Sequence, residues 1–309
     1  MRKYIIILSV IIITMASCQK NATNVKLPPA KIQLVVQSYI SPQDSLIKVY
    51  VTESTPVFGQ KQQNNWGIIN SLPDAKVEIT HNSVVYTLLY DGNELAFTID
   101  SSHLKIIAGE IYSIKVSRGS ETVTGNCTVP FPPFSNLSLA KKIELKAELD
   151  PHTKDTLNIF YQLRTYFDDR QSLGDYYRVY ISSNSQIWEY LYNTQGNITD
   201  SVLSSRQNFA FFEKAEQEYV TDVDINGQRI FQNSTIYLSD KRTGNVVSTE
   251  ITLGIMHADV NYYKYHTSAI GHLNNKGNPF AEPSLVFTNI QGGLGIFAAY
   301  NYRYWVKKL

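Results

Sequence analysis

Between residues 31 and 130 the chain is a series of short runs in which apolar and polar side chains alternate. The apolar members share one face in each of four runs: Ile47, Val49 and Val51; Val77 and Ile79; Tyr112, Ile114 and Val116; Val123, Cys127 and Val129. A period of two places every second side chain on the same side of a β-strand, and turn pairs such as Asp91-Gly92 separate the runs. Strands about 8 to 12 residues apart, each with one apolar face, predict an immunoglobulin-like or transthyretin-like sandwich over 31–130.

The segment VPFPPFS, residues 129–135, has prolines at three of its seven positions and cannot continue a sheet. It therefore predicts a domain boundary. Alternation resumes beyond it at 157–163, 177–181, 286–290 and 296–304, so 135–309 is expected to be a larger, antiparallel, β-rich domain.

Two stretches of this second domain depart from strand periodicity. Asp259 is a candidate N-cap, and apolar residues follow it at helical spacing as far as Gly271, which predicts one short helix near 259–271. Between about 183 and 232 the alternation is weak and Asn, Gln and Ser are frequent. We expect long loops there, with a short helical turn around 211–217.

The N-terminus has the features of an export signal. Arg2 and Lys3 precede an apolar run of about a dozen residues, which is too short to span a bilayer. Met15, Ala16 and Ser17 then precede Cys18 in the pattern of a bacterial lipoprotein signal, in which the cysteine is acylated and becomes the new N-terminus. The alternative is an ordinary secretory signal with an incidental cysteine. We expect a signal peptide at 1–17, a lipid on Cys18 and a polar tether at 18–30.

Charge and cysteine content narrow the function classes further. Removing Arg2 and Lys3 from the 28 basic residues leaves 26 against 27 acidic residues, a formal charge of −1. Nothing in this balance favours nucleic acid as a partner. With Cys18 acylated, Cys127 has no disulfide partner, and its inward position in a strand predicts a buried structural thiol.

Several segments resemble one known family. They are GNPFAEPSLVFTNIQGGLGIFAAYNY at 277–302, DYYRVYI at 175–181, NYYKY at 261–265, DAKVEI at 74–79 and VVQSYI at 35–40. Together they are similar to the domain of unknown function 4249 family of Bacteroidota lipoproteins. The resemblance implies an outer-membrane lipoprotein, often encoded beside a TonB-dependent transporter, and it supplies no catalytic residues.

We therefore expect a non-catalytic lipoprotein of the outer membrane that acts as an accessory or binding partner of such a transporter. The alternative is a glycan- or peptide-binding lipoprotein. Surface-exported lipoproteins of this lineage resemble one another in an acidic run just after the lipidated cysteine, and residues 19–24 contain no acid. This favours the periplasmic face over the cell surface.

Letters that match a dinucleotide-binding fingerprint occur at GLGIFA, residues 293–298. Only about a dozen residues follow, whereas a strand-helix-strand unit needs about 30. Gly292, Gly293 and Gly295 are better explained by a tight turn or bulge between two strands.

The sequence contains few other candidates for metal-binding or catalytic residues. His257, Asp259, His266 and His272 lie close in sequence, but the last two are separated by about 240° around a helix. We expect these histidines to be solvated or hydrogen-bonded and predict no metal site and no cofactor. The Asp168-Asp169 pair is interpreted as solvated loop carboxylates, and no nucleophile elbow is present, so the sequence does not predict an enzyme.

Aromatic residues make up 12% of the chain. Tyr176, Tyr177 and Tyr180 lie in an alternating run and are expected to pack in a sheet. The remaining candidates for an exposed ligand-contact surface are Trp66, Trp188, Tyr190 and Tyr192. The alternative is that they are isolated exposed aromatics without a function.

Three tripeptides resemble the Asp-Ser/Thr-apolar sites on which exported proteins of this lineage carry O-glycans. Their hydroxyl residues are Ser45, Thr156 and Ser201. A turn cap before a strand explains the first two nearly as well.

Overall fold

The computed structural model describes residues 31–55, 70–149, 156–238, 246–275 and 284–308. Within these ranges the chain is mainly β, with large antiparallel sheets and one α-helix, as the sequence predicts. The strands are β1 (Leu34–Ile40), β2 (Leu46–Glu53), β3 (Lys76–His81), β4 (Val84–Asp91), β5 (Ala96–Asp100), β6 (Ile111–Arg118), β7 (Glu121–Thr128), β8 (Ser138–Leu149), β9 (Thr156–Asp168), β10 (Tyr176–Tyr192), β11 (Ile198–Phe209), β12 (Tyr219–Thr221), β13 (Arg229–Leu238), β14 (Val246–Ala258) and β15 (Leu294–Lys308). Helix α1 is Val260–Asn275, and Ala215–Glu218 is a turn of 3₁₀-helix. Among the described residues, no helix has the length and apolarity needed to span a bilayer.

A continuous ladder joins most of the strands. Its order is β11-β10-β14-β15-β1-β2-β5-β4-β3-β6-β7. The short strand β12 also belongs to this sheet and pairs with the first residues of β10. The pairing of β1 with β15 is parallel, and the other pairs are antiparallel. A second sheet has the order β13-β9-β8.

The alternation of β1 to β7 builds the first hydrophobic core. Apolar side chains on one face of each strand are buried together, among them Val36, Val49, Ile79, Ile114 and Val123. Cys127 is in this core, 2% exposed, as its inward position predicts. Ile290, Phe297 and Ala299 from the other end of the chain pack in the same core.

The second core lies between the three-stranded sheet and the strands β10 and β14. Ile159 and Leu163 of β9 pack with Val179 and Ile181 of β10 and with Leu253 of β14. This core fixes the position of β13 relative to β10 and β12, which border the cleft described below.

Two glycines allow β15 to lie against β1. Gly292 has a φ of +81° and makes the turn that precedes β15. Gly295 has a φ of +107°, and a Cβ at this position would lie 2.0 Å from the carbonyl oxygen of Val36. Only glycine permits both this backbone conformation and this close approach. The glycine run therefore makes a turn, as expected, and in addition a close strand-to-strand contact.

Helix α1 begins as predicted and ends later than predicted. The backbone N–H of Tyr262 donates to Oδ1 of Asp259 at 2.7 Å, which makes Asp259 the N-cap. Gly271 does not end the helix, which continues to Asn275. The φ angle of Gly271 is not positive, and a Cβ at this position would meet nothing within 4 Å. A glycine with helical dihedrals costs only about 1 kcal/mol in a helix and does not stop it.

The expectation of long loops between 183 and 232 is wrong. Residues 182–192 of β10 pair with 198–209 of β11, and β12 and β13 follow. Serines hide the strand pattern, because Ser183 and Ser185 occupy buried positions with hydrogen-bond partners of their own. The short helical turn expected around 211–217 is present as the 3₁₀ turn at Ala215–Glu218.

Candidate functional site

A cleft of about 830 Å³ borders one edge of β13. Its opposite wall is the segment 211–221, which contains the 3₁₀ turn and β12, together with Tyr263 of α1. Its lining contains both aromatic rings and uncharged polar groups, including Phe211, Tyr219, Gln162, Gln217 and Gln232. Glu213 is the one carboxylate among the described lining residues. The cleft is therefore polar, weakly charged and rich in aromatic surface.

The strand β13 lines this cleft with its edge. Five successive residues, Phe231–Thr235, contribute to the lining. A strand that offered one face would contribute only every second residue, because successive side chains point to opposite faces. The backbone of β13 itself therefore forms part of the wall.

Backbone hydrogen bonds show which groups face the cleft. The N–H and C=O of Thr235 exchange two bonds of 2.8 Å with Phe211 across it. On the other edge, Gln232 lies opposite Thr165 in the register of β13 with β9, and the side-chain hydroxyl of Thr165 donates to the carbonyl of Gln232 at 3.4 Å. N–H and C=O groups of alternate residues point to the same edge, so those of Asn233 and Phe231 point into the cleft. In the described part of the chain, β13 pairs only with β9 and, through that bridge, with Phe211.

Two hydroxyl groups in the cleft wall lack hydrogen-bond partners among the described residues. They are Oγ of Ser234, a residue that is only 4% exposed, and Oγ1 of Thr221. Buried polar atoms are normally hydrogen-bonded. Both oxygen atoms are themselves buried, so they lie inside the wall and do not reach a molecule in the cleft.

An ion pair holds the wall of the cleft in place. Nε of Arg178 on β10 donates to Glu218 at 2.5 Å, and Nη1 donates to the hydroxyl of Tyr262 on α1 at 2.9 Å. Glu218 ends the 3₁₀ turn, so this network joins the turn, the helix and the sheet. Burial raises the pKa of the adjacent Tyr219, which keeps its hydroxyl protonated.

A second cluster lies where β9 and β12 end and β10 begins. Asp169, Asp175 and Asp222 are all buried, and one carboxylate oxygen from each lies within 4.8 Å of the others. Carboxylate oxygens are the ligands that Ca²⁺ and Mg²⁺ take, so these are the described residues that could hold a divalent cation. The prediction that Asp169 is a solvated loop carboxylate is wrong, because the loop folds inward and buries it to 4% exposure.

Protein donors bind each carboxylate of this cluster. Asp169 accepts from the hydroxyl of Tyr177 at 2.5 Å and from the N–H of Gly227 at 2.9 Å. The two oxygens of Asp222 accept from the N–H of Gly174 at 3.1 and 3.0 Å. These bonds join the two loops of the cluster.

Asp175 contacts a histidine and a serine without forming a catalytic triad. Its carboxylate lies 3.0 Å from Nε2 of His257 and accepts from Oγ of Ser172 at 2.9 Å. Burial alone would raise the pKa of Asp175, but the hydrogen bond and charge of His257 hold it below its usual value. Nδ1 of His257 lies 2.8 Å from the carbonyl of Phe131. Both ring nitrogens are thus engaged away from the serine, so His257 is not placed to activate that hydroxyl.

One sequence signal for Asp222 was missed. Residues 222–227, DVDING, match the first six positions of an EF-hand loop, D-x-[DN]-x-[DN]-G. The twelfth position is Asn233 in place of the glutamate, so the match stops there. Asp224 and Asn226 are exposed, and only Asp222 of this motif belongs to the cluster.

Comparison with known proteins gives a family. The family model described as Domain of unknown function (DUF4249) matches residues 21–304. The chain belongs to the DUF4249 family. No curated protein matches it.

Among solved structures, this DUF4249 chain matches the trypsin-activated alpha-2-macroglobulin from Escherichia coli. The identity is 7% and the TM-score is 0.20. The match covers 74% of this chain and 15% of the other.

Two of the four aromatic residues predicted as ligand contacts, Trp188 and Tyr190, are not among the described residues that line the cleft of the DUF4249 chain. Trp188 and Tyr190 are 42% and 39% exposed on β10, where they pair with Leu203 and Ser201 of β11. Tyr192 ends β10, but its side chain lies outside the described residues, as does Trp66. The cleft residues were missed by sequence reasoning because they come from distant segments of the chain.

The hydroxyl residues proposed for O-glycosylation lie at or in strands. Ser45 is exposed in the bend before β2, and Ser201 is exposed in β11. Thr156 begins β9, and its side chain is outside the described residues. Cys18, the signal segment and the tether also lie outside them, so these expectations stay predictions.

The histidines considered as metal ligands each have different surroundings. His272 contacts the carbonyl of Ser284 through Nδ1 at 2.8 Å. His266 lies among aromatic rings, stacked on Tyr39 and Tyr219, and its Nε2 is buried without a partner among the described residues. His257 belongs to the aspartate cluster, and Asp259 is the N-cap of α1.

Proposed function

We propose that this protein is a non-catalytic lipoprotein of the outer membrane that binds a TonB-dependent transporter. The family resemblance supplies the location and the partner. The structural observation that supports the proposal is an exposed apolar surface on the hairpin of β10 and β11.

The hairpin exposes large apolar side chains on both of its faces. Trp188, Tyr190 and Leu203 share one face, and Leu191 and Val202 share the other. All five are between 39% and 49% exposed. Exposed apolar side chains that neighbour each other across two strands, as Trp188 and Leu203 do, are typical of protein interaction sites, and Trp and Tyr are enriched at the centres of interfaces.

The position of the hairpin fits a contact with a large partner. β11 is the terminal strand of the long ladder, so the hairpin lies at a border of the sheet. The base of β10 packs in the second core, whereas none of the described side chains at residues 188–203 belongs to either hydrophobic core. Among the described residues, neither the cleft beside β13 nor the aspartate cluster brings together a nucleophile, a base and a residue that orients the base. This favours binding over catalysis.

Affinity isolation of the full chain from detergent-solubilised outer membrane tests this proposal. We expect a transporter to co-purify in near-equal amount with the wild type and to be lost with the double variant Trp188→Ala, Leu203→Ala. Leu89→Ala is the matched control, since Leu89 is 75% exposed on β4, far from the hairpin in the strand order. Recovery of the wild-type protein alone would overturn the partnership.

Anchorage and membrane face need separate measurements. We expect Cys18→Ser to move the protein from the membrane to the soluble fraction, because it removes the acylation site. Protease treatment of intact cells should leave the wild type intact if it faces the periplasm. Its rapid loss, with periplasmic markers retained, would place it on the cell surface.

A further inference from the structure

We propose that the cleft beside β13 binds an extended peptide segment, which adds a strand to the open edge of β13. The proposal goes beyond the transporter partnership and concerns a different surface. It depends on the direction of backbone groups, on the lining of the cleft and on the chemistry of the exposed edge.

The first argument is that the pairing along the open edge of β13 stops after a single bridge. Phe211 pairs with Thr235 in an antiparallel bridge. The next residues of an antiparallel strand would lie opposite Asn233 and then Phe231. The chain instead turns away at Glu213 and enters the 3₁₀ turn. The N–H and C=O groups of Asn233 and Phe231 are thus left without a strand partner among the described residues.

The spacing of these groups matches a peptide backbone. Two alternate residues of a strand present their N–H and C=O groups about 6.8 Å apart along one line. An extended peptide has complementary groups at the same spacing, and strand addition to an open edge is a recurrent mode of peptide recognition. An oligosaccharide without amide groups does not present paired N–H and C=O groups at this spacing.

The second argument is that this edge is unprotected. Natural sheets commonly block an open edge with lysine, proline or a bulge. The lining segment Phe231–Thr235 has the sequence FQNST and contains neither lysine nor proline, and its register with β9 has no irregularity. A regular edge without these blocking features can accept another strand.

The third argument is that the cleft can hold the side chains of such a strand. Its volume of about 830 Å³ lies within the range of about 300–1,000 Å³ that is usual for ligand sites. Phe211 and Phe231, each 47% exposed, offer apolar surface. The side-chain amides of Gln162, Gln217 and Gln232 in the lining offer hydrogen bonds to a polar side chain. The expected ligand is therefore a short extended segment with mixed apolar and uncharged polar residues.

The test compares two substitutions at one position. The full chain in detergent micelles is screened against a library of random heptapeptides, and the best peptide is synthesised for affinity measurements. Asn233→Ala keeps the backbone N–H that faces the cleft, whereas Asn233→Pro removes it. We expect Asn233→Ala to bind within about threefold of the wild type and Asn233→Pro to bind at least tenfold more weakly. Equal affinities for the two variants, or no peptide captured by the wild type, would overturn the proposal.

The proline variant should remain folded, because the N–H of Asn233 bonds no other described residue and proline is tolerated at such edge positions. Circular dichroism and thermal unfolding check this. The same protein is applied to a glycan array. Capture of oligosaccharides without capture of peptides would overturn the proposal in favour of a carbohydrate site.

Hydrogen exchange gives a measurement that does not depend on any variant. The amides of Phe231 and Asn233 should exchange quickly in the free protein and at least tenfold more slowly with saturating peptide. The amides of Gln232 and Ser234, which face β9, are the internal control and should already be slow. Unchanged exchange at Phe231 and Asn233 would overturn the proposal. Neither result depends on whether a transporter co-purifies.

Discussion

The ring of Tyr180 occupies the space beside Gly254, its cross-strand neighbour. A Cβ at Gly254 would lie 2.0 Å from Cε1 of the tyrosine. The next strand continues this row with Tyr304, which pairs with Gly254 from the other side. The missing side chain of the glycine therefore determines where the aromatic ring packs on this face of the sheet.

Replacing Gly254 with alanine should destabilise the protein. The added methyl group forces Tyr180 out of its position, and overpacking of this kind costs about 1–3 kcal/mol. Gly271→Ala is the matched control, because a Cβ there meets nothing within 4 Å and alanine is favoured over glycine in a helix by about 1 kcal/mol. Urea unfolding should show opposite changes in the two variants, and a loss of similar size in both would contradict the packing argument.

The hydroxyl of Tyr112 should contribute measurably to stability. It accepts a bond from the N–H of Ile107 and donates to the carbonyl of Lys105, both at 2.9 Å, inside the first core. Tyr112→Phe leaves these two backbone groups without that partner, which costs about 1–3 kcal/mol. Tyr304→Phe is the control, since Tyr304 is 56% exposed, and it should change the unfolding free energy by less than about 0.5 kcal/mol. Equal effects of the two substitutions would disprove the assigned role.

Asp259 should make the protein more stable as the pH falls from about 7 towards 4. Burial raises the pKa of this carboxyl to about 7 in the folded protein, whereas its value in an unfolded chain is about 3.9. Folding therefore takes up a proton in this window, and stability is lost as the pH rises through it. Asp259→Asn keeps an N-cap and removes the titration. The unfolding free energy is measured from pH 4 to 8 for both proteins. The part of its pH dependence that comes from Asp259 should be absent in the variant.

His266 should have the opposite effect over nearly the same range. Burial first, and then the charge of Arg178, lower its pKa to about 4, against about 6.5 in an unfolded chain. The unfolded chain therefore binds the extra proton, and stability is lost as the pH falls from about 6.5 to 4. His266→Phe keeps an aromatic ring in the cluster and removes the titration.

The two groups oppose each other, so their variants should diverge. With Asp259→Asn, the histidine contribution remains and acid destabilises the protein more steeply than it does the wild type. With His266→Phe, the aspartate contribution remains and mild acid stabilises the protein. Parallel pH profiles for the two variants would contradict both pKa assignments.

The strands of the first core could be predicted from sequence because their two faces differ. In β6, buried and exposed residues alternate from Ile111 to Val116, so each side chain shows which face it occupies. The N-cap of α1 was equally visible, since Asp259 is a carboxylate placed directly before an apolar period of about 3.6.

The hairpin of β10 and β11 could not be predicted in the same way. Ser183 and Ser185 are buried but polar, since each has a hydrogen-bond partner, and most of β11 is exposed on both faces. Without a contrast between faces, the period-two signal disappears. Here tertiary hydrogen bonding overrides the local pattern.

The cleft and the aspartate cluster could not be predicted because each joins distant segments. Gln162, Tyr219, Asn233 and Tyr263 meet in one cleft only after the three-stranded sheet has packed on β10. The alternation of apolar and polar residues predicted the fold class and the family resemblance predicted the membership, but neither indicated the positions of a site. Only Asp222 had a local signal, in the DVDING segment.

The parallel pairing of β1 with β15 has a consequence for the order in which the chain can fold. Next to that pairing, Gln43 donates a hydrogen bond to Asn301, 258 positions later. The ribosome synthesises β1 long before β15. Until β15 is available, one edge of β1 has no partner from that strand, and the first core lacks the side chain of Phe297. Closing so long a loop is slow. The nascent chain therefore passes through an interval in which it is vulnerable to aggregation, and this interval ends only when β15 has been synthesised.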